Sequence, residues 1–99
     1  MTRRVVVTPR AQKQVLRALH WWARNRDKAP DALEDDWVEA LEFIANNPQA
    51  GHFSRRQRRG IVRRVQLDRS RYYLFYRVNT NGDIDILQLW HASRRPPKR

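Results

Sequence analysis

The densest run of chemistry-bearing side chains is Arg71-Tyr72-Tyr73-Leu74-Phe75-Tyr76-Arg77-Val78. Read as an extended strand, it alternates, with Arg71, Tyr73, Phe75 and Arg77 on one side and the more apolar Tyr72, Leu74, Tyr76 and Val78 on the other. Arg64 in the preceding apolar segment, beside Arg63, can join the first side. Cations interleaved with rings hold phosphates and stack bases. The same mixture also describes an exposed strand whose arginines lie over its own rings. Both readings stay open from composition. His91, followed by Arg94 and Arg95, stands at the end of the last apolar run. A histidine near arginines can donate or accept a proton, or it can simply hydrogen-bond a neighbouring backbone group.

Other chemistries find little support. His20, His52 and His91 are scattered and there is no cysteine, so neither a metal site nor a cofactor is expected. No glycine-rich phosphate loop is present. The carboxylates Asp35, Asp36, Glu39 and Glu42 are expected on the solvated outer face of a helix. The charge is lopsided. Residues 1–50 carry 8 Lys+Arg against 7 Asp+Glu, net +1, and residues 51–99 carry 13 against 3, net +10, which together make the +11 of the chain. Such a field attracts phosphate polymers or an acidic protein. The apolar stretch after Arg3 and Arg4 is only Val5–Val7, too short for a signal peptide or a membrane span. A cytoplasmic protein without membrane contact is expected, and the absence of cysteine is consistent with that.

The elements that position these residues follow from periodicity. Arg4–Thr8 reads as a short strand, and Thr8-Pro9 as an N-cap with proline in the first helical position. Ala11, Val15, Ala18, Leu19 and Trp22 then share one helical stripe, which ends over residues 25–28. Asp31 with Glu34 resembles a capping box that opens a second helix with the stripe Leu33, Trp37, Ala40, Leu41 and Ile44. Asn46-Asn47-Pro48 stops it. Trp21 and Phe43 hold equivalent places beside the two stripes, where they either pack at the rim of the core or offer a surface to a partner. Residues 49–60 read as a loop, and residues 61–67, 71–78 and 84–90 as strands, the last two joined by the Asn79-Thr80-Asn81-Gly82 turn. The tail 95–99 is expected to fray. The order β-α-α-β-β-β predicts a single α+β domain over residues 1–99. In it a helical hairpin covers one face of a small, four-stranded antiparallel sheet and leaves the other face open.

Several segments resemble the RelE/ParE toxin superfamily, also described as plasmid stabilisation proteins. They are Val5-Val6-Val7-Thr8-Pro9-x-Ala11, Asn47-Pro48-x-x-Gly51, Val62-Arg63-Arg64-Val65, Arg71 to Val78, and Ile86-Leu87-Gln88-Leu89-Trp90-His91-Ala92-Ser93-Arg94. The resemblance spans about residues 3–97, and the pair Tyr-x-x-x-Tyr-Arg-Val and Trp-His-x-x-Arg is its more specific part. It implies a toxin neutralised by a cognate antitoxin, whose acidic, amphipathic segment wraps the toxin. It also implies binding to operator DNA as the toxin–antitoxin complex and a toxin–antitoxin heterotetramer.

One branch of the superfamily cleaves mRNA on the ribosome; the other inhibits DNA gyrase. Aligned on Tyr76-Arg77-Val78, Arg64 falls where the nucleases carry one lysine, but Gln66 replaces a second lysine, Tyr73 an arginine, and Ala92 the arginine beyond the last strand. No tyrosine follows Tyr76. These departures favour a ParE-like gyrase inhibitor. The alternative is a metal-independent mRNA endonuclease using Arg64, Arg71, Arg77, His91 and Arg94. A third reading is an inactive member that only binds antitoxin and DNA. The residues expected at the target or nucleic acid are Arg63, Arg64, Arg71, Tyr73, Arg77, His91 and Arg94, and those expected at the antitoxin are Trp21, Phe43, Arg71 and Arg77.

Overall fold

A computed structural model describes residues 4–91. The elements are β1 (Val5–Val7), α1 (Pro9–Asn25), α2 (Ala32–Asn46), β2 (His52–Gln57), β3 (Gly60–Gln66), β4 (Tyr72–Asn79) and β5 (Ile84–His91). They form one five-stranded sheet in the order β1-β5-β4-β3-β2. The α+β class and the helical hairpin stand as expected, with two corrections to the sheet. Its edge strand β1 runs parallel to β5, so the sheet is mixed rather than antiparallel. The segment expected as a loop holds the other edge strand, β2, paired with β3. β2 reads His-Phe-Ser-Arg-Arg-Gln and lacks apolar alternation because it has one neighbour and little to bury. Charged edge strands of this kind resist pairing with other chains.

Helix α1 starts where Thr8 ends β1. Thr8 Oγ accepts from the Ala11 amide at 3.3 Å and donates to the Ile86 carbonyl at 2.8 Å, so one hydroxyl caps the helix and fixes it to β5. The capping box expected at Asp31 does not form. Asp31 has φ −95° and ψ 0°, a turn conformation that keeps its carboxylate off the helical amides. Glu34 and Asp35 in the first turn still complement the helix dipole.

Both stripes meet the sheet. Ala11, Val15, Ala18 and Trp22 of α1 and Leu33 and Ile44 of α2 close over Leu67, Tyr72, Leu74, Tyr76, Ile84, Ile86 and Leu89. Two polar fastenings complete the layer. The Tyr76 hydroxyl donates to the Pro48 carbonyl at 3.0 Å and accepts from the Gly51 amide at 3.0 Å, clamping the α2–β2 connection to the central strand. Burial pushes its phenol pKa up, so it stays a neutral donor at physiological pH. A Cβ at Gly51 would collide with the same hydroxyl, and for that reason position 51 carries glycine.

The second fastening overturns an expectation. Asp36 is 3% exposed rather than solvated. Its carboxylate accepts from the Arg69 amide (3.0 Å), the Ser70 amide (2.7 Å), the Ser70 hydroxyl (2.8 Å) and the Arg69 guanidinium (2.9 Å). Glu39 holds the same guanidinium through both oxygens, at 3.1 and 3.2 Å. α2 is thereby tied to the β3–β4 turn, which closes through Arg71 in the left-handed region, at φ 66°.

Two outcomes are expected from equilibrium urea unfolding. Asp36→Ala strands several buried donors and lowers stability by about 3 kcal/mol. Tyr76→Phe leaves the Gly51 amide and the Pro48 carbonyl unpaired and costs about 1–3 kcal/mol, with an unchanged far-UV spectrum.

Candidate functional site

Residues directly opposite one another on neighbouring strands share a face. On the face away from the helices the register therefore lays out three rows. The first runs Arg55, Val62, Arg77, Asp85 and Val6 across all five strands. The second is His52, Arg64, Phe75 and Gln88, and the third Gln66, Tyr73 and Trp90. Arginine and ring alternate on this face as the sequence requires. The Arg64 guanidinium lies over the Tyr73 ring at 4.7 Å from its centroid, so the cation–π reading holds at this pair.

Arg77 is on this face but is already engaged. Its guanidinium donates to Asp85 at 2.7 Å and Gln57 at 3.0 Å, and its Nε donates to Asn79 at 3.3 Å. The Arg77 and Asp85 side chains are 16% and 18% exposed. Burial alone would raise the Asp85 pKa. Hydrogen bonds from Arg77 and Asn79, with the charges of Arg77 and Arg59, outweigh it and hold the carboxyl below the usual range. Val62, Phe75 and Gln88 are buried. Arg64 and Arg55, half-buried, have no ion pair among the described residues.

The other candidates go elsewhere. Arg63 pairs opposite Tyr76, on the helix side, and donates to the Gly51 carbonyl at 2.9 Å and the Gln49 side chain at 3.1 Å. Arg71 precedes β4, in the turn, so the expected strand begins one residue later and Arg71 leaves the row. His91 pairs opposite Tyr72, also on the helix side, and meets that ring edge-on at 4.9 Å. Arg71 and His91 instead line a depression with Trp22, Arg26 and Arg69. Arg94 and the tail 95–99 lie outside the described residues. The expected binding set is therefore split between two faces of the sheet and one end of it.

Trp21 and Phe43 also separate. Trp21, 37% exposed, lines a cleft between α1 and β5 and carries the Arg26 guanidinium at 5.1 Å. Phe43, 48% exposed, lines a cleft between α2 and β3. They flank the helical hairpin on opposite sides and do not form one patch.

Two features escaped the sequence reading. Asp85 is the partner of Arg77 because the hairpin is centred on Asn81, with Asn79 bonded to Asp83, which sets Arg77 and Asp85 opposite each other. His52 and Arg55 were not legible, because their strand has no apolar alternation. Among the described residues no group of side chains is arranged to hold a metal ion, and no helix is long and apolar enough to cross a membrane.

The fold, a helical hairpin over one face of a sheet, is similar to that of a solved structure described as the chromosomal ParDE TA system from P. aeruginosa. The match has a TM-score of 0.70 at 19% sequence identity and covers 91% of this chain and 96% of that one. Comparison with curated proteins finds no match. Residues 5–96 match the family described as the ParE toxin of type II toxin-antitoxin system, parDE. The chain thus belongs to the ParE toxin family, and an antitoxin partner is implied by that membership.

The Arg77–Asp85 pair sets an acid limit. A depressed carboxyl pKa adds stability above the unfolded value, near 4, that is lost as pH falls through the lower folded value. The stability gap between the wild type and Asp85→Asn is expected to be about 1–3 kcal/mol at pH 6 and to narrow below about pH 4. Urea titrations across pH 6 to 3 read it; a gap that stays constant over that range refutes the role given to the pair.

Proposed function

We propose that this ParE-family chain is a binding toxin that inhibits DNA gyrase and is held inactive by its cognate antitoxin. The observation that carries the reading is the dispersal of the residues a nuclease would need. Cleaving a phosphodiester needs a base, an acid and cations converging on one phosphate. Here Arg77 is bound to Asp85, and His91 stands on the opposite face of the sheet from Arg64. Arg71 is in a turn at the sheet's end. A binding toxin needs no such convergence. It needs an accessible surface of fixed shape, for which the Arg64–Tyr73 pair and half-buried Arg55 are suited.

The charge distribution supports the antitoxin half of the reading. The net +10 of residues 51–99 favours an acidic partner and speeds its encounter. Operator DNA and a toxin–antitoxin heterotetramer belong to the same proposal, with family membership as their only support.

The test adds the purified protein to a gyrase supercoiling reaction and, in parallel, to translating ribosomes carrying labelled mRNA. Supercoiling is expected to fall while the mRNA stays intact, and the antitoxin is expected to restore supercoiling. Arg64→Ala is expected to weaken inhibition several-fold without unfolding the protein, since Arg64 holds no ion pair among the described residues. Codon-linked mRNA cuts that disappear in His91→Ala would replace this reading with the endonuclease one.

A further inference from the structure

No acidic residue stands between Glu42 and Asp68, and that stretch carries six arginines. Four of them lie in and beside one turn. β2 and β3 are joined by only Arg58 and Arg59, because Gln57 pairs with Gly60. The Thr80 amide donates to the Arg59 carbonyl at 3.1 Å, which fixes this turn against the β4–β5 turn. Arg56, Arg58 and Arg59 are exposed and Arg55 is half-buried. None of the four has an ion pair among the described residues. Asp85, whose charged form Arg59 favours from a distance, is already held by Arg77.

The pleat divides these charges between the two faces of the sheet edge. Arg55 lies opposite Val62 in the row of Arg77, on the open face. Arg56 lies in line with Ile61 and Val78, on the helix side. Arg63 is on that side too, and its hydrogen bonds go to neutral oxygens of Gly51 and Gln49, which leave its charge uncancelled. Arg56, Arg58 and Arg63 line a depression of about 470 Å³ with Gln49, Asn79 and Thr80. No carboxylate lines it, whereas the cleft beside α2 contains Asp36, Glu39 and Asp68. β2 has one neighbour in the sheet, so backbone groups along its outer side are unpaired among the described strands.

We infer that this edge, the β2–β3 turn with the outer side of β2, holds the backbone of double-stranded DNA. Phosphates are bound by guanidinium groups and by backbone amides without regard to base sequence. A duplex groove has a phosphate row on each wall. An edge with cations on both faces and at its tip meets both rows at once. Stacked sheets lie about 10 Å apart, which sets the thickness of one sheet with its side chains. The major groove of B-DNA is about 12 Å wide and admits such an edge. The major groove of duplex RNA is too narrow. A single strand or an acidic peptide laid along one face leaves the guanidinium groups of the other face unused. The inference goes beyond the gyrase reading. It gives the toxin its own contact with the polymer on which gyrase acts, and it stands or falls separately.

The experiment titrates the purified full chain into a short fluorescein-labelled DNA duplex at several salt concentrations. The triple variant Arg56→Gln, Arg58→Gln, Arg59→Gln is expected to bind roughly tenfold more weakly at fixed salt, and its slope of log affinity against log salt to flatten by about three. Arg10→Gln, Lys13→Gln, Arg17→Gln removes the same charge from exposed positions of α1. That control is expected to stay within about threefold of the wild type, with its slope unchanged. Lysine at the three hairpin positions is expected to keep the wild-type slope, since it keeps the charge. A second readout needs no variant. On adding the duplex to wild-type protein, the amide NMR signals of residues 55–59 are expected to shift while those of α1 stay in place. Equal losses in the two glutamine variants, or shifts spread evenly over the surface, reduce the binding to the field of the whole chain and overturn the inference. Duplex RNA, single-stranded DNA or polyglutamate competing more strongly than the DNA duplex also overturns it. Absent duplex binding with supercoiling inhibition intact rejects the DNA-holding edge and leaves the gyrase reading standing.

Discussion

Strand β4 lies at the centre of the sheet, and its pleat sends neighbouring residues into unlike surroundings. Tyr72, Leu74 and Tyr76 enter the helix-covered core, while Tyr73, Phe75 and Arg77 go to the other face. A slip of one residue would exchange the two sets, placing Arg77 under the helices and Leu74 in the open. The pairing of β4 with β3 and β5 therefore decides which side chains belong to the core and which remain for a partner. The Tyr76 hydroxyl reinforces that choice, since it reaches Pro48 and Gly51 only from the helix side.

The helix-free face is less open than its composition suggests. Its central residues, Val62, Phe75 and Gln88, are buried, and its best-placed cation is neutralised by Asp85. Gln88 Oε1 and Trp90 Nε1 have no hydrogen-bond partner among the described residues, and they stand two residues apart in β5 on this face. The accessible chemistry has moved outward, to Arg64, Tyr73 and Arg55 toward the β2 side of the sheet.

The legible parts of the molecule are those where one physical rule acts alone. The stripes of α1 and α2 and the turn at Asn81-Gly82 follow from periodicity and backbone preference, and each falls where the pattern puts it. The alternation of β4 was equally readable, which placed Arg64, Tyr73 and Arg77 correctly by face. What could not be read depends on contacts distant in sequence. Asp36 looked like one of several surface carboxylates, because nothing local marks the Arg69 and Ser70 amides that surround it. His91 and Arg63 followed the pleat onto the helix side, a consequence of register that a list of basic residues does not carry. β2 went unread because an edge strand with little to bury has no hydrophobic signature.

The composition of β2 has a further consequence for the protein when it is alone. An uncapped strand edge is a template, and copies of one chain at high local concentration add to such templates and grow into fibres. Arg55 and Arg56 set like charges against like whenever two of these edges meet. The repulsion discriminates by sign. It turns away an identical molecule, so resistance to self-assembly comes from these two guanidinium groups.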